Sequence, residues 1–99
     1  MTRIKNLTEQ IKDELCSAKE YAEEYLTFKA KGDAPWATRY KEMSTDELKH
    51  ANSLHERAVA EIEELRKVYT PPEEMLQKWE SAHREYIEKA AWIKQMLAM

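Results

Sequence analysis

Glu47 and His50 stand three residues apart, and on a helix the pattern Glu-x-x-His sets a carboxylate oxygen and an imidazole nitrogen on adjacent turns of one face. An oxygen and an imidazole nitrogen held together suit a divalent first-row metal. The spacing alone discriminates weakly, because 16 of the 99 residues are Glu and a histidine often has one three places before it. Position around the helix sharpens it. Stepping ~100° per residue, Trp36, Tyr40, Met43, Ala51, Leu54, Ala58, Ile62, Leu65 and Tyr69 trace one apolar stripe. Glu47 falls on its centre line between Met43 and Leu54, with His50 one turn on and about 60° to the side.

The preceding segment carries Ile4, Leu7, Ile11, Leu15, Ala18, Ala22 and Tyr25 at three- and four-residue steps. Glu14 lies about 40° from the centre of that stripe, whereas Glu9, Asp13, Glu20, Glu23 and Glu24 lie far from it. Two carboxylates and an imidazole thus interrupt two otherwise apolar stripes. A buried carboxylate without a partner costs several kcal/mol or takes up a proton. No Lys or Arg on these stripes stands near Glu14 or Glu47, and a divalent metal would supply the missing charge. One Glu from a first helix with Glu-x-x-His from a second is half of a di-iron carboxylate site. Two such halves provide four carboxylates and two imidazoles, enough to balance two ferrous ions.

The elements that position these groups are helices. A single Gly and three Pro leave too little turn chemistry for an all-β fold. Lys31-Gly32-Asp33-Ala34-Pro35 reads as a helix stop followed by a start, with Gly32 in the left-handed conformation, Asp33 or Ala34 capping and Pro35 in the first turn. Tyr69-Thr70-Pro71-Pro72-Glu73 reads as a second break, with Thr70 as N-cap, Pro71 after it and Glu73 completing a capping box. Helices are therefore expected near 4–31, 35–69 and 72–97, in one domain spanning 1–99. The third carries Met75, Leu76, Trp79, Ala82, Tyr86, Ala90, Ile93 and Leu97 as its stripe. Short connections make neighbouring helices antiparallel, so the expectation is an all-α hairpin plus a third helix, completed to a four-helix bundle by dimerisation. A chain of this size gains from a partner, because small domains bury a limited share of their surface.

Asp46-Glu47-Leu48-Lys49-His50-Ala51 resembles the second-helix signature of rubrerythrins and encapsulated ferritins, within the ferritin-like superfamily. In those families the first-helix Glu has a Tyr seven residues after it, as Glu14 has Tyr21 here, and 33 residues separate Glu14 from Glu47. The resemblance covers the first two helices. It implies a di-iron centre shared between two chains, with Glu14 as a terminal ligand, Glu47 as a bridging carboxylate, His50 as a nitrogen ligand and Tyr21 as a nearby redox residue. It implies ferroxidase-type oxidation of Fe(II) and a homo-oligomer built of dimers. The chain lacks the second helix pair and cysteine-rich iron domain of a rubrerythrin. An encapsulating shell is a further partner that the resemblance raises, although Ile93-Lys94-Gln95-Met96-Leu97-Ala98-Met99 contains no recognisable targeting peptide.

Other readings stand beside these. Ser44-Thr45-Asp46-Glu47 is itself a capping box, which would start a helix at Ser44 and leave Glu47 at its third position. Glu14 could point to water from the edge of its stripe. Glu80 and His83 form a second Glu-x-x-His, but Glu80 lies about 100° off its stripe. In an antiparallel hairpin, His83 and His50 differ in level by roughly 13 Å. His83 therefore reads as a core or interface residue and His55 as a solvated or interface one. Trp92 points away from its stripe, as a subunit contact would, and Cys16 reads as a surface thiol. A metal-free helical module that oligomerises through its stripes is the alternative to the metal protein.

Composition excludes several classes. The charges, 16 basic against 19 acidic for a net of −3, are interspersed and form no basic stripe for a nucleic acid. No apolar run is long enough for a secretory leader or a membrane span, and a lone cysteine fits a reducing compartment, so the expected setting is cytoplasmic. No Gly-rich phosphate loop, Cys-x-x-Cys, or serine or cysteine nucleophile with its base is present.

Overall fold

A computed structural model describes residues 2–99 and contains three helices, α1 (Thr2–Ala30), α2 (Ala34–Val68) and α3 (Glu73–Ala98). They form a rod of 55 × 17 × 17 Å. No helix among the described residues is long and apolar enough to cross a membrane.

The first break forms as its residues dictate. Gly32 has φ +77°, and the amides of Gly32 and Asp33 donate to the carbonyls of Lys29 and Phe28 at 3.0 and 2.9 Å. Those two bonds close the end of α1 as a Schellman motif. Asp33 then caps α2, its Oδ1 accepting from the amide of Trp36 at 3.3 Å. The second break departs from expectation. α3 starts at Glu73 with Pro72 as its cap residue and no side-chain cap bond, so Thr70 does not cap it. A residue before proline is driven to extended backbone, and Thr70-Pro71-Pro72 imposes this twice in succession. Glu73 instead accepts from the side-chain amide of Gln77 at 3.2 Å.

α1 and α2 pack along most of their length as an antiparallel hairpin. All seven stripe residues expected in α1 are buried. The buried residues of α2 are Ala37, Ser44, Ala51, Ala58 and Ile62; the last three belong to the expected stripe, whereas Ala37 and Ser44 replace Trp36, Tyr40 and Met43 along the line. Trp36, Met43 and Tyr69 are 45%, 40% and 40% exposed, on the flank of the interface and not in it. Small residues explain the shift. Ala18, Ala22, Ser44, Ala51 and Ala58 are fully buried, and residues of this size let two helices approach closely while larger neighbours splay to the sides. Ser44 belongs to this contact: its hydroxyl donates to the carbonyl of Ala18 across the interface at 2.7 Å. α2 runs unbroken through it, so Ser44 starts no helix.

α3 returns parallel to α1 and lies closer to α1 than to α2. Ala90, Ile93, Met96 and Leu97 are its buried residues and join the hairpin core. Lys29 Nζ donates to the carbonyl of Met99, tying the ends of α1 and α3. One cleft between α1 and α3 is lined by Thr8, Lys12, Trp79 and Ala82, and another between α2 and α3 by Leu48, Asn52, Tyr86 and Ala90. Among the described residues no helix covers the opposite face of the hairpin.

Candidate metal centre

That uncovered face holds the predicted ligands. Glu14 projects from the middle of α1, while Glu47 and His50 project from successive turns of α2, directly across from it. His50 Nδ1 is 3.7 Å from Glu14 Oε2 and 3.8 Å from Glu47 Oε2. One ligand atom from each of the three residues lies within 4.8 Å of the other two. Among the described residues this is the only group of three or more His, Cys, Asp or Glu side chains so placed.

The backbone accounts for the convergence. The bond from Ser44 to Ala18 fixes the register of the hairpin one turn from the site. On α1 the step from Ala18 back to Glu14 is four residues, and on α2 the step from Ser44 forward to Glu47 is three. In antiparallel helices those steps run the same way, so both carboxylates reach the same level. Both lie beside the alanine contact: the side chains of Glu14 and Glu47 are 30% and 22% exposed, and that of His50 is 60% exposed. Glu47 is therefore half-buried at the flank of α2, and not on the buried centre line where the stripe of large residues places it.

Ligands about 2.1 Å from one ion are at most ~4.2 Å apart. The two histidine–carboxylate separations fall within that limit, and all three ligand atoms lie within 4.8 Å of one another. The donor set also fits. Among the described residues no Lys or Arg nitrogen forms an ion pair with Glu14 or Glu47, and the His50 ring is the nitrogen donor that faces them both. Farther along the same face Glu61 is differently served, by Arg3 at 3.5 Å and Arg57 at 3.8 Å. Three protein donors around an open position are fewer than an octahedral ion takes, and the open side faces away from α3.

Tyr21 lies two turns beyond Glu14 on the same side of α1, about 10 Å along the axis. It is half-buried, and its ring packs on Tyr40 with centroids 6.1 Å apart. Tyr40 in turn stacks on Phe28 at 5.6 Å and meets Trp36 at 6.1 Å. An aromatic cluster thus continues the face from the triad toward the α1–α2 turn.

The second Glu-x-x-His stays apart. Glu80 is exposed, and His83 meets His55, not His50. His55 is half-buried in that contact, at the interface of α2 with α3, the second of the two readings its flank position allows. Burial, followed by the neighbouring His83, holds its pKa below 6.5, and Glu56 opposes the shift. The pairing left no trace in the spacing, because it depends on how α3 is rotated against α2. Cys16 is exposed, as expected, and Trp92 is 50% exposed. Comparison of the chain with models of protein families, with curated proteins and with solved structures finds no match.

Proposed function

We propose that this chain is a ferritin-like di-iron carboxylate protein, which binds and oxidises Fe(II) at a centre completed by a second copy of itself. The observation that carries the reading is the convergence of Glu14, Glu47 and His50 on one point of an uncovered helical face. The resemblance of residues 46–51 to the second-helix signature of rubrerythrins and encapsulated ferritins agrees with it. Two hairpins facing each other across this surface would form a four-helix bundle and bring two triads together. The four carboxylates would balance two ferrous ions, and the half-exposed Trp36 and Met43 would be covered.

Iron, once bound, would supply the electrons for reduction of O2 or peroxide. The chain's own part is positional. Glu47, the more buried carboxylate, is the candidate bridge between the two ions, and Glu14 is the candidate terminal ligand. His50 would bind through the Nδ1 that already faces both acids. Tyr21 would stand beyond the ligands as a redox residue, held by Tyr40.

Anaerobic titration with Fe(II) tests the reading. Saturation should fall near one iron per chain, and later admission of O2 should produce ferric absorbance faster than in buffer alone. Binding without protein-dependent oxidation would remove the ferroxidase activity and keep the metal site. A second reading, a metal-free oligomerisation module, is favoured by Ile87 and Trp92, which are 52% and 50% exposed on α3. Elemental analysis of protein purified without chelators separates the two.

A further inference from the structure

α3 is held in two unlike ways along its length. Its buried residues, Ala90, Ile93, Met96 and Leu97, all lie in the C-terminal half. Residues 73–86 contain no buried position, and Met75, Leu76, Trp79, Ala82, His83 and Tyr86 are each half-buried. A cluster of rings joins this half to α2. His55 stacks on Tyr86 with centroids 4.6 Å apart and planes 12° apart, and on His83 at 4.7 Å and 24°, with Trp79 at 5.5 Å. His55 Nε2 lies 2.6 Å from His83 Nδ1, and the Tyr86 hydroxyl donates to Asn52 Oδ1 at 3.1 Å.

A contact of that length between two imidazoles is a hydrogen bond, which needs one N–H and one lone pair. Two neutral rings provide them, and so does one neutral ring beside one protonated ring. Two protonated rings do not: both facing nitrogens then carry hydrogen, and two positive charges meet in a partly desolvated contact. The separation is also too short for two ligands of one metal, since ~2.1 Å bonds in tetrahedral geometry put nitrogens ~3.4 Å apart. The pair is built to hold a proton.

We propose that the His55–His83 pair is an acid-opened latch, which releases the N-terminal half of α3 from α2 when both rings are protonated while the C-terminal half stays docked. The cluster lies wholly in the first half, and Ala90, Ile93, Met96 and Leu97 hold the second half in the hairpin core, so opening is local. The reading is independent of the metal site, which lies on the other face of the hairpin.

The surroundings set the pH window. Burial and then His83 lower the pKa of His55, against the opposing charge of Glu56. A histidine whose pKa is lowered on folding contributes stability that is complete above its ordinary value, ~6.5, and is lost as pH falls through the lowered one. Glu56 also accepts from the Asn52 side chain at 3.2 Å. The phenol of Tyr86 is pushed upward, by burial first and Glu56 second, so it keeps its proton throughout this range. From α1, Glu9 and Lys12 line the adjoining cleft with Trp79, along with Glu74, Lys78 and Glu85 of α3. Glu74 pairs with Lys78 at 3.3 Å. Glu85 is held below the ordinary carboxylate range, chiefly by its bond to Lys89 and further by Lys12, and stays charged through the window. On α3 itself, Glu80 and Arg84 are exposed beside His83. Histidine is the side chain whose ordinary pKa falls between about pH 7.5 and 5, and this cluster holds two.

Hydrogen exchange of the whole protein, corrected for the intrinsic effect of pH, reads the latch directly. Between about pH 7.5 and pH 5, protection of residues 73–86 should fall, as the folded state loses the stability carried by its neutral imidazoles. Protection of 90–97 and of the hairpin should hold. In the His55→Phe/His83→Phe double variant, which keeps both aromatic rings but no titrating nitrogen, protection of 73–86 should be the same at both pH values. Unchanged wild-type protection, or an equal fall in the double variant, overturns the latch. If the variant does not fold, an NMR titration of the wild-type histidine rings decides. α3 amide shifts that follow the later of two coupled ring titrations support it, and α3 shifts that ignore both rings overturn it.

Discussion

At the scale of single residues, the proposed function rests on three side chains that an apolar stripe would not choose. Glu14 and His50 were legible because each departs from a pattern that its neighbours obey, and the structure brings both to Glu47. The His55–His83 contact was not legible, since each residue alone is unremarkable on its helix and only the rotation of α3 pairs them. If the triad binds iron, Glu14→Ala, Glu47→Ala and His50→Ala should each weaken Fe(II) binding by more than the ~10–100-fold typical of losing an outer-shell partner. His55→Ala and His83→Ala should leave that affinity unchanged. Calorimetric titration under anaerobic conditions checks the set, and iron loss on His83→Ala with retention on Glu14→Ala would overturn the choice of helices. Tyr21→Phe should keep the stoichiometry and slow oxidation by ~10-fold, the scale of an outer-shell effect.

At the scale of elements, helix number and approximate ends follow from Gly32, Asp33 and the two adjacent prolines. The rotation of α2 follows less directly. Counting large apolar residues centres its stripe on Met43 and Leu54, yet the buried line runs through Ala37, Ser44 and Ala51. Periodicity weights size, whereas close helix contact selects smallness, and a serine at such a contact looks polar in sequence. Urea denaturation tests the two devices that fix the hairpin. Ser44→Ala removes a buried cross-helix hydrogen bond and should cost ~1 kcal/mol. Gly32→Ala should cost a similar ~1–2 kcal/mol through its positive φ alone, because nothing lies within 4 Å of the added methyl. Thr70→Ala should be nearly silent, since the residue caps nothing.

At the scale of the whole molecule, the hairpin is covered on one side by α3 and open on the other, and the open side carries the acids. Bringing two such faces together sets four carboxylates near one another, which repel most strongly as water is excluded. A ligand that binds only the paired state favours it, by ~2.7 kcal/mol at a hundredfold excess over its dissociation constant. Fe(II), or Zn²⁺ as a stand-in, should therefore shift monomer toward dimer in sedimentation velocity. The Glu14→Leu/Glu47→Leu double variant should lose that metal dependence and associate as well or better without metal, as replacement of buried charge by apolar bulk often does. Identical wild-type profiles with and without metal would place the oligomerisation module ahead.

The alanine contact between α1 and α2 also acts as a caliper. Ala18 and Ala51 fix how far apart the two helix axes stand, and hence the span between Glu14 on one and Glu47 on the other. If the triad holds a metal, that span would select ionic radius. Bonds of ~2.1 Å suit iron or zinc, whereas calcium needs 2.3–2.6 Å and more oxygens. A bulkier residue at position 51 would then pry the helices apart and relax the discrimination toward larger ions without touching a ligand. Metal preference would thus be written partly in side chains that carry no charge and bind nothing.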